Sequence, residues 1–415
     1  MIPVPPRLRE CHDCGQFQIV PALPPATRAL CLRCDAVLRH THHDPLWTPL
    51  ALNLTALLLF LIAAGSTLML VSTAGQVHVA DMFTGPEGLD QHGMWELAVV
   101  VLFTTIAAPA AKLGCMLYVL IGLRMRRPPR HIRRVFAWVE HLRPWSMIEV
   151  YLLGVFVAYV KLKALVFIET GVALYALGAL LLTMIAADAS LDAQFVWEEM
   201  ERRGLPPDKI EHVTTAAAER LTACDTCGLI CADPTASHCP RCGFHLHRRK
   251  PNSLARTWAL SIAAAILYLP ANLYPVLTIV QLGSGQPSTI LGGVQELLDG
   301  GQWPLAALVF VASIMVPVLK LFALGVLLTS VHIRRRGRLR DRTVLYRLVE
   351  AIGRWSMIDI FMASILVALV QFGSIVSINA GTGAIAFAAV VILTMLAAHT
   401  FDPRLMWDVA ETHTA

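Results

Sequence analysis

Charge is scarce in this sequence. Asp, Glu, Lys and Arg make up 15% of its 415 residues, where a soluble domain carries about a quarter. That shortage excludes a disordered chain and argues against an ordinary soluble enzyme. No Gly-x-x-x-x-Gly-Lys-Ser/Thr loop is present to cradle a nucleotide's phosphates. No nucleophile elbow appears either, so enzymatic activity is not expected. The first residues are polar and Pro-rich rather than a basic stub before an apolar core, which reads as no cleavable signal. Apolar residues take the place of charge: 56% of the chain, with a mean hydropathy of +0.60. The expectation is an all-α polytopic membrane protein.

The halves of the chain repeat each other at an interval of about 210 residues. Cys31-Leu-Arg-Cys34 matches Cys239-Pro-Arg-Cys242, and Trp95 matches Trp303. Pro109-Ala-Ala-Lys112 matches Pro317-Val-Leu-Lys320, and Trp145-Ser-Met-Ile-Glu149 matches Trp355-Ser-Met-Ile-Asp359. Leu182-Thr-Met184 matches Leu393-Thr-Met395; Asp192 and Trp197 match Asp402 and Trp407. Each unit is one small Cys-rich module followed by one membrane module. The expected division is ribbon 1 over 1–44, membrane unit 1 over 45–190, linker and ribbon 2 over 191–250, membrane unit 2 over 251–403, and a tail over 404–415.

A bilayer span needs about 20 apolar residues. Four such runs occur per unit, near 50–71, 95–123, 146–166 and 171–188, then near 255–279, 303–331, 356–376 and 382–400. Residues 124–134 hold six Arg and no acid, and 334–342 hold six Arg and one Asp. Loops 72–94 and 281–302 carry acids but no Lys or Arg. Positive charge marks the cytoplasmic side, so the arginine loops, both Cys modules and both termini are expected inside. The arginines read as topology and lipid contact rather than nucleic-acid binding, since no aromatic stacking pattern accompanies them. Residues 135–143 and 343–353 read as short interfacial helices, with Phe136, Trp138, Val139 and Leu142 giving the first an apolar face.

Eight of ten cysteines fall in Cys-x-x-Cys pairs: Cys11/Cys14 with Cys31/Cys34, and Cys224/Cys227 with Cys239/Cys242. Two such knuckles supply the four thiolates of a structural Zn²⁺ site, with iron the main rival. A module this small cannot bury enough core to fold alone, and metal binding supplies the deficit. A reducing cytoplasm disfavours structural disulfides. His12, His238 and His245 read as exposed polar neighbours, and Cys231 as a spare thiol beside the ribbon.

Charged groups at membrane depth cost about 3 kcal/mol on insertion scales, so each needs a reason. Lys112 and Lys320 lie inside the second span of each unit, three residues after a proline. Glu149 and Asp359 open the third spans, and Asp188 and His399 occupy matched places near the end of the fourth. A Lys–acid pair in each bundle is expected, either as a relay or as a static salt bridge. Pro317 breaks the local helix ladder, and Ser313, Ser356 and Thr394 supply hydroxyls nearby. Leu269-Pro-Ala-Asn-Leu-Tyr-Pro275 places Pro270, Asn272 and Pro275 in one apolar run, which reads as a broken or kinked helix. The second membrane unit is therefore the preferred working site, through Lys320, Asp359, Ser356, Ser313, Thr394, Pro317 and Asn272. Lys112, Glu149 and Asp402 are secondary candidates.

These motifs, with Arg354-Trp-Ser-Met-Ile-Asp359 and Phe401-Asp-Pro-Arg-x-x-Trp407, make the chain resemble the paraquat-inducible protein A family, the PqiA/LetA type of inner-membrane protein. The resemblance implies two tandem four-helix transmembrane units, each preceded by a zinc ribbon, in the bacterial inner membrane. It also implies a periplasmic MCE-domain partner that forms a lipid tunnel, and the passing of phospholipid or another lipid to or from that tunnel. A non-transporting scaffold for the partner is the alternative; a metal- or redox-sensing membrane protein is another.

Overall fold

The computed structural model describes residues 7–73, 76–163, 167–205, 221–231, 236–281, 284–369 and 376–411. One order of elements occurs twice. The first copy opens on hairpins β1 (Arg7–Glu10)–β2 (Phe17–Val20) and β3 (Arg28–Leu30)–β4 (Val37–His40). It continues through α1 (Trp47–Gly65), hairpin β5 (Met69–Thr73)–β6 (Gln76–Ala80) and α2 (Thr84–Gln91). A long helix follows, made of α3 (Trp95–Leu102), a π-helical turn (Phe103–Ala107) and α4 (Ala108–Gly122). Then come α5 (Ile132–Leu142), α6 (Ile148–Lys163), β7 (Phe167–Thr170), α7 (Val172–Ser190) and α8 (Ala193–Arg202).

The second copy opens on β8 (Thr222–Ala223)–β9 (Ile230–Cys231) and α9 (Ser253–Leu273). After β10 (Leu277–Gln281), β11 (Ser284–Ser288) and α10 (Ile290–Asp299), its long helix is α11 (Trp303–Phe310), a π-turn (Val311–Met315) and α12 (Val316–His332). It closes with α13 (Leu339–Gly353), α14 (Ile358–Leu369), β12 (Val376–Ala380), α15 (Thr382–Thr400) and α16 (Arg404–Glu411).

Among the described residues, seven helical stretches are long and apolar enough to cross a membrane. The remaining span, α6, fills 16 residues, about 24 Å at 1.5 Å per residue. The first spans end earlier than hydropathy indicates. The α1 helix stops at Gly65 and α9 at Leu273, and the apolar residues beyond enter β5 and β10. Ser66 is extended (φ −116°, ψ 159°). Tyr274 is extended too (φ −85°, ψ 150°), as the residue before a proline is driven to be. The expected break at Pro270 is not there: α9 runs through Pro270, and the Asn272 amide bonds the Tyr268 carbonyl at 2.9 Å. The motif ends a helix instead of splitting one.

In each unit the strands form an antiparallel three-stranded sheet at the end of the bundle remote from the ribbons, in the order β6-β5-β7 and β11-β10-β12. Each π-turn lies just before the proline of its long helix, Pro109 or Pro317. Proline has no N–H to give and crowds the carbonyl four residues back, so an extra residue in the turn relieves the conflict. The units meet along α14, which packs on both α6 and α2. Glycines make that approach possible. A Cβ at Gly154 would lie 2.8 Å from Phe361 Cβ, and one at Gly88 would lie 2.9 Å from Ala368 Cα. One apolar core accordingly runs through both units.

Candidate metal centres and membrane cavities

All four Cys-x-x-Cys knuckles share one geometry. The N–H after the second cysteine donates to the carbonyl of the first: Gly15 to Cys11, Gly228 to Cys224 and Gly243 to Cys239 at 2.8 Å, and Asp35 to Cys31 at 3.0 Å. The turn requires a left-handed residue. Glycine supplies it three times, and Asp35 (φ 56°) accepts it at the fourth. The eight thiols are buried in two sets of four. Sulfur separations are 3.5 Å for Cys11–Cys34, 3.6 Å for Cys14–Cys31, and 3.5 Å for both Cys224–Cys242 and Cys227–Cys239. A tetrahedral ion with bonds of ~2.3 Å holds its sulfurs about 3.8 Å apart, so each set fits one metal ion. Donors face the sulfurs, as around a ligated thiolate: Gln18 Nε2 reaches Cys31 Sγ at 2.9 Å and Arg347 Nη2 reaches Cys34 Sγ at 3.5 Å. Cys231 is buried in β9, outside the four-thiol set.

The apolar faces of the ribbons are exchanged between the units, while ion pairs such as Arg39–Glu198 and Arg404–Asp225 also tie each ribbon to the unit that follows it. Ribbon 1 packs on Leu327, Leu328 and Val331 of α12, Tyr346 of α13 and Trp407 of α16. Ribbon 2 packs on Met116, Val119 and Leu120 of α4, Phe136 of α5 and Trp197 of α8. The contacts repeat residue for residue. Arg33 lies over the Trp407 ring at 4.3 Å and pairs with Glu411 at 2.6 Å; Arg241 lies over Trp197 at 5.9 Å and pairs with Glu201. The α5 helix thus turns Phe136 and Val139 toward ribbon 2 and leaves Trp138 exposed. Half of the face read as membrane-interfacial, Phe136 and Val139, is therefore a protein contact.

Asp402 belongs to this seam. It accepts from Arg404 Nε at 2.9 Å, Arg404 Nη2 at 3.0 Å and the Lys250 N–H at 3.0 Å. Burial opposes its charge, but the Arg404 guanidinium holds its carboxyl below the usual range. Glu10 sits beside Arg404 and Arg249, yet burial outweighs both and pushes its carboxyl up. Asp192, the match of Asp402, caps α8 and receives Arg39 at 3.3 Å.

Inside the bundles the two lysines differ. Lys112 pairs with Asp188 at 2.8 Å. Lys320 donates to Thr394 Oγ1 at 3.0 Å, because His399 stands where the first unit has Asp188. Ser313 and Ser356 donate to the Val309 and Gly353 carbonyls, at 2.7 and 2.9 Å. Asp359 lines a void of about 20 Å³ with Leu97, Ile360 and Phe387. Its match Glu149 instead lines an apolar groove of about 680 Å³ beside α6 and α7, walled by Leu153, Phe156, Tyr159, Leu174 and, from the second unit, Trp355. Sequence reasoning did not find this groove. Its residues look like ordinary span residues until α6 is seen to lean on α14. The Asp188 partnership had a visible signal, since Asp188 and His399 each follow the matched threonines Thr183 and Thr394 at the same spacing.

A family model described as paraquat-inducible protein A matches residues 46–201 and again 254–411. The chain belongs to the paraquat-inducible protein A family. The intermembrane transport protein PqiA of Escherichia coli K12 is 33% identical over 400 residues, covering 96% of this chain and 95% of that protein. The lipophilic envelope-spanning tunnel protein A of the same strain is 32% identical over 407 residues, 98% and 92% of the two chains. A probable intermembrane transport protein of Haemophilus influenzae is 28% identical over 421 residues, 98% and 97%. No solved structure matches. The double match of the paraquat-inducible protein A model follows the repeat, and the helices make this chain a multi-pass membrane protein.

Proposed function

We propose that the protein passes phospholipid or another lipid between a bacterial inner membrane and a periplasmic MCE-type tunnel protein. The apolar groove with Glu149 at its edge carries this reading, since a groove of this size beside membrane helices suits acyl chains better than a polar solute. The names of the relatives, intermembrane transport and envelope-spanning tunnel proteins, support it. In this reading the arginine loops, ribbons and termini are cytoplasmic. The sheets, with α2 and α10, then form the periplasmic face offered to the tunnel protein. Each ribbon holds Zn²⁺ in a closed, structural site, with iron as the alternative. The modules divide at 44/45, 190/191, 250/251 and 403/404.

Lys320, Thr394, Ser313, Ser356 and Asp359, with Pro317 and Asn272, form the polar element that shifts between two helix arrangements. A lysine held by one hydroxyl has less to lose on moving than one in an ion pair. The test combines complementation of a deletion strain with mass spectrometry of lipid carried by the purified protein. Lys320→Ala and Asp359→Asn should abolish complementation while expression and metal content stay normal. A wild-type protein that carries no lipid overturns the reading. The glycine-packed seam along α14 favours the second reading, a rigid scaffold for the tunnel protein, in which neutral replacements at Lys320 and Asp359 leave complementation intact.

A further inference from the structure

A second cavity, of about 320 Å³, opens where the units meet on the ribbon side. Arg143 and Pro144, in the 3-10 turn between α5 and α6, form one wall. Arg347, Val349 and Glu350 of α13 and Met395 and His399 of α15 form the rest. Its charges are mixed: two guanidiniums, one carboxylate and one imidazole. Arg347 spends Nε on Asp13 at 2.5 Å and Nη2 on the Cys34 carbonyl at 3.0 Å, which fixes the guanidinium in place. Arg143 has only a weak pair with Glu140, at 4.0 Å, and is half exposed. Gly353 also lines the cavity, and behind it stands Lys320, whose Nζ lies 3.5 Å from the place a Gly353 Cβ would take.

The cavity and the apolar groove border the same two turns. Arg143 lines the cavity and Glu149, six residues on, lines the groove; Gly353 lines the cavity and Trp355, two residues on, lines the groove. Cations beside a carboxylate, next to an acyl-sized groove, match the parts of one ligand class. A phosphate takes charge-assisted hydrogen bonds from guanidiniums, and an ammonium takes a carboxylate. We propose that the cavity binds the headgroup of a zwitterionic aminophospholipid from the ribbon-side leaflet, with its phosphate at Arg143 and Arg347, its ammonium at Glu350 and its acyl chains in the neighbouring groove. This deepens the lipid reading given above and rests on it. Glu350 makes the choice of lipid, because it repels the phosphate of a headgroup that brings no ammonium.

The test is native mass spectrometry of the full chain in nanodiscs of equimolar phosphatidylethanolamine and phosphatidylglycerol. Wild type should retain phosphatidylethanolamine in preference. Arg143→Glu should cut retention about ten-fold, the usual worth of one charge-assisted contact. Glu350→Lys should reverse the preference toward phosphatidylglycerol. Unchanged metal content and elution volume certify that both variants fold. Retention of both lipids alike, or variants indistinguishable from wild type, overturns the proposal and leaves lipid carriage standing. No retained lipid in wild type removes both. Displacement of the lipid by millimolar inorganic phosphate alone assigns the cavity to a free anion and also overturns it.

Discussion

The two membrane units share an order of elements and differ in how they treat a buried lysine. Each lysine lies seventeen residues into its long helix (95 to 112 and 303 to 320), after a π-turn and a proline. In the first unit Lys112 meets Asp188 and its charge is balanced on the spot. In the second Lys320 is 2% exposed and held by a hydroxyl. The matched acids differ the other way: Glu149 borders the open groove and Asp359 a void too small for more than one water. One unit has a settled charge and an open wall; the other has an unsettled charge and a closed one. Duplication supplied two copies of a bundle, and substitution at one position, aspartate or histidine, gave them different electrostatics. The seam explains the rest, since α14 is covered by α6 and α2 while the far side of α6 keeps its groove.

The largest effect is expected from breaking the ribbons, because their exchange makes the units depend on each other crosswise. A four-thiolate site contributes about 10 kcal/mol of apparent binding free energy, which is folding free energy for so small a module. Cys14→Ser should therefore unfold ribbon 1 and raise hydrogen exchange at α16 and the ribbon-side end of α12, which belong to the second unit. Cys242→Ser should do the same at α8 and α4 of the first. Exchange rising only in the unit that follows each ribbon, where Arg39 meets Glu198 and Asp225 meets Arg404, would contradict the exchanged apolar packing.

A middle-sized effect should come from making the lysines alike. Asp188→Ala strands Lys112 and should cost about 1–3 kcal/mol, below the full price of a buried pair because Asp188 is 29% exposed. His399→Asp gives Lys320 the partner that Lys112 has. It should raise thermal stability by up to about 1 kcal/mol while lowering complementation, because a paired Lys320 no longer shifts readily. Thermal melts and the deletion strain read the two outcomes separately; a His399→Asp protein of full activity would show that the unsettled charge has no use.

An effect of similar size is expected at the seam. Gly154 matches Ser364 in the repeat, and a side chain at Gly154 meets Phe361. Gly154→Val should destabilise by about 1–3 kcal/mol through overpacking, with Gly178→Val, where nothing lies within 4 Å of the added Cβ, as the near-neutral control. Equal melting points for the two would mean that α6 is not pressed on α14.

Much of this was legible in the residues. The repeat and the four knuckles are local patterns and survive as read. The intramembrane charges were legible too, but not their partners, since Lys320 bonds Thr394 rather than Asp359 and Lys112 pairs with Asp188 rather than Glu149. What escaped depends on contacts across hundreds of residues. Trp197 and Trp407 advertise a buried face on α8 and α16, but no local pattern says which ribbon covers it. Arg33 and Arg241 occupy the same knuckle position, which hints at a shared task without naming the partner. Hydropathy also cannot tell a helix end from an apolar strand, so it ran α1 into β5 and α9 into β10. The proline motif misled for a related reason: Pro270 and Pro275 disturb a helix wherever they stand, and only the position of β10 shows that they stand at its end.

The exchanged ribbons also set an order of events during synthesis. Cys34 leaves the ribosome 373 residues ahead of Trp407 (407 − 34), which at about 5–20 residues per second is a wait of roughly 20–75 s. Ribbon 2 has no such delay, because α4, α5 and α8 precede it in the chain. The first ribbon must therefore keep its thiols and an apolar face from misassembling while both bundles enter the membrane, and α16, the last of the described helices, is the one that closes on it.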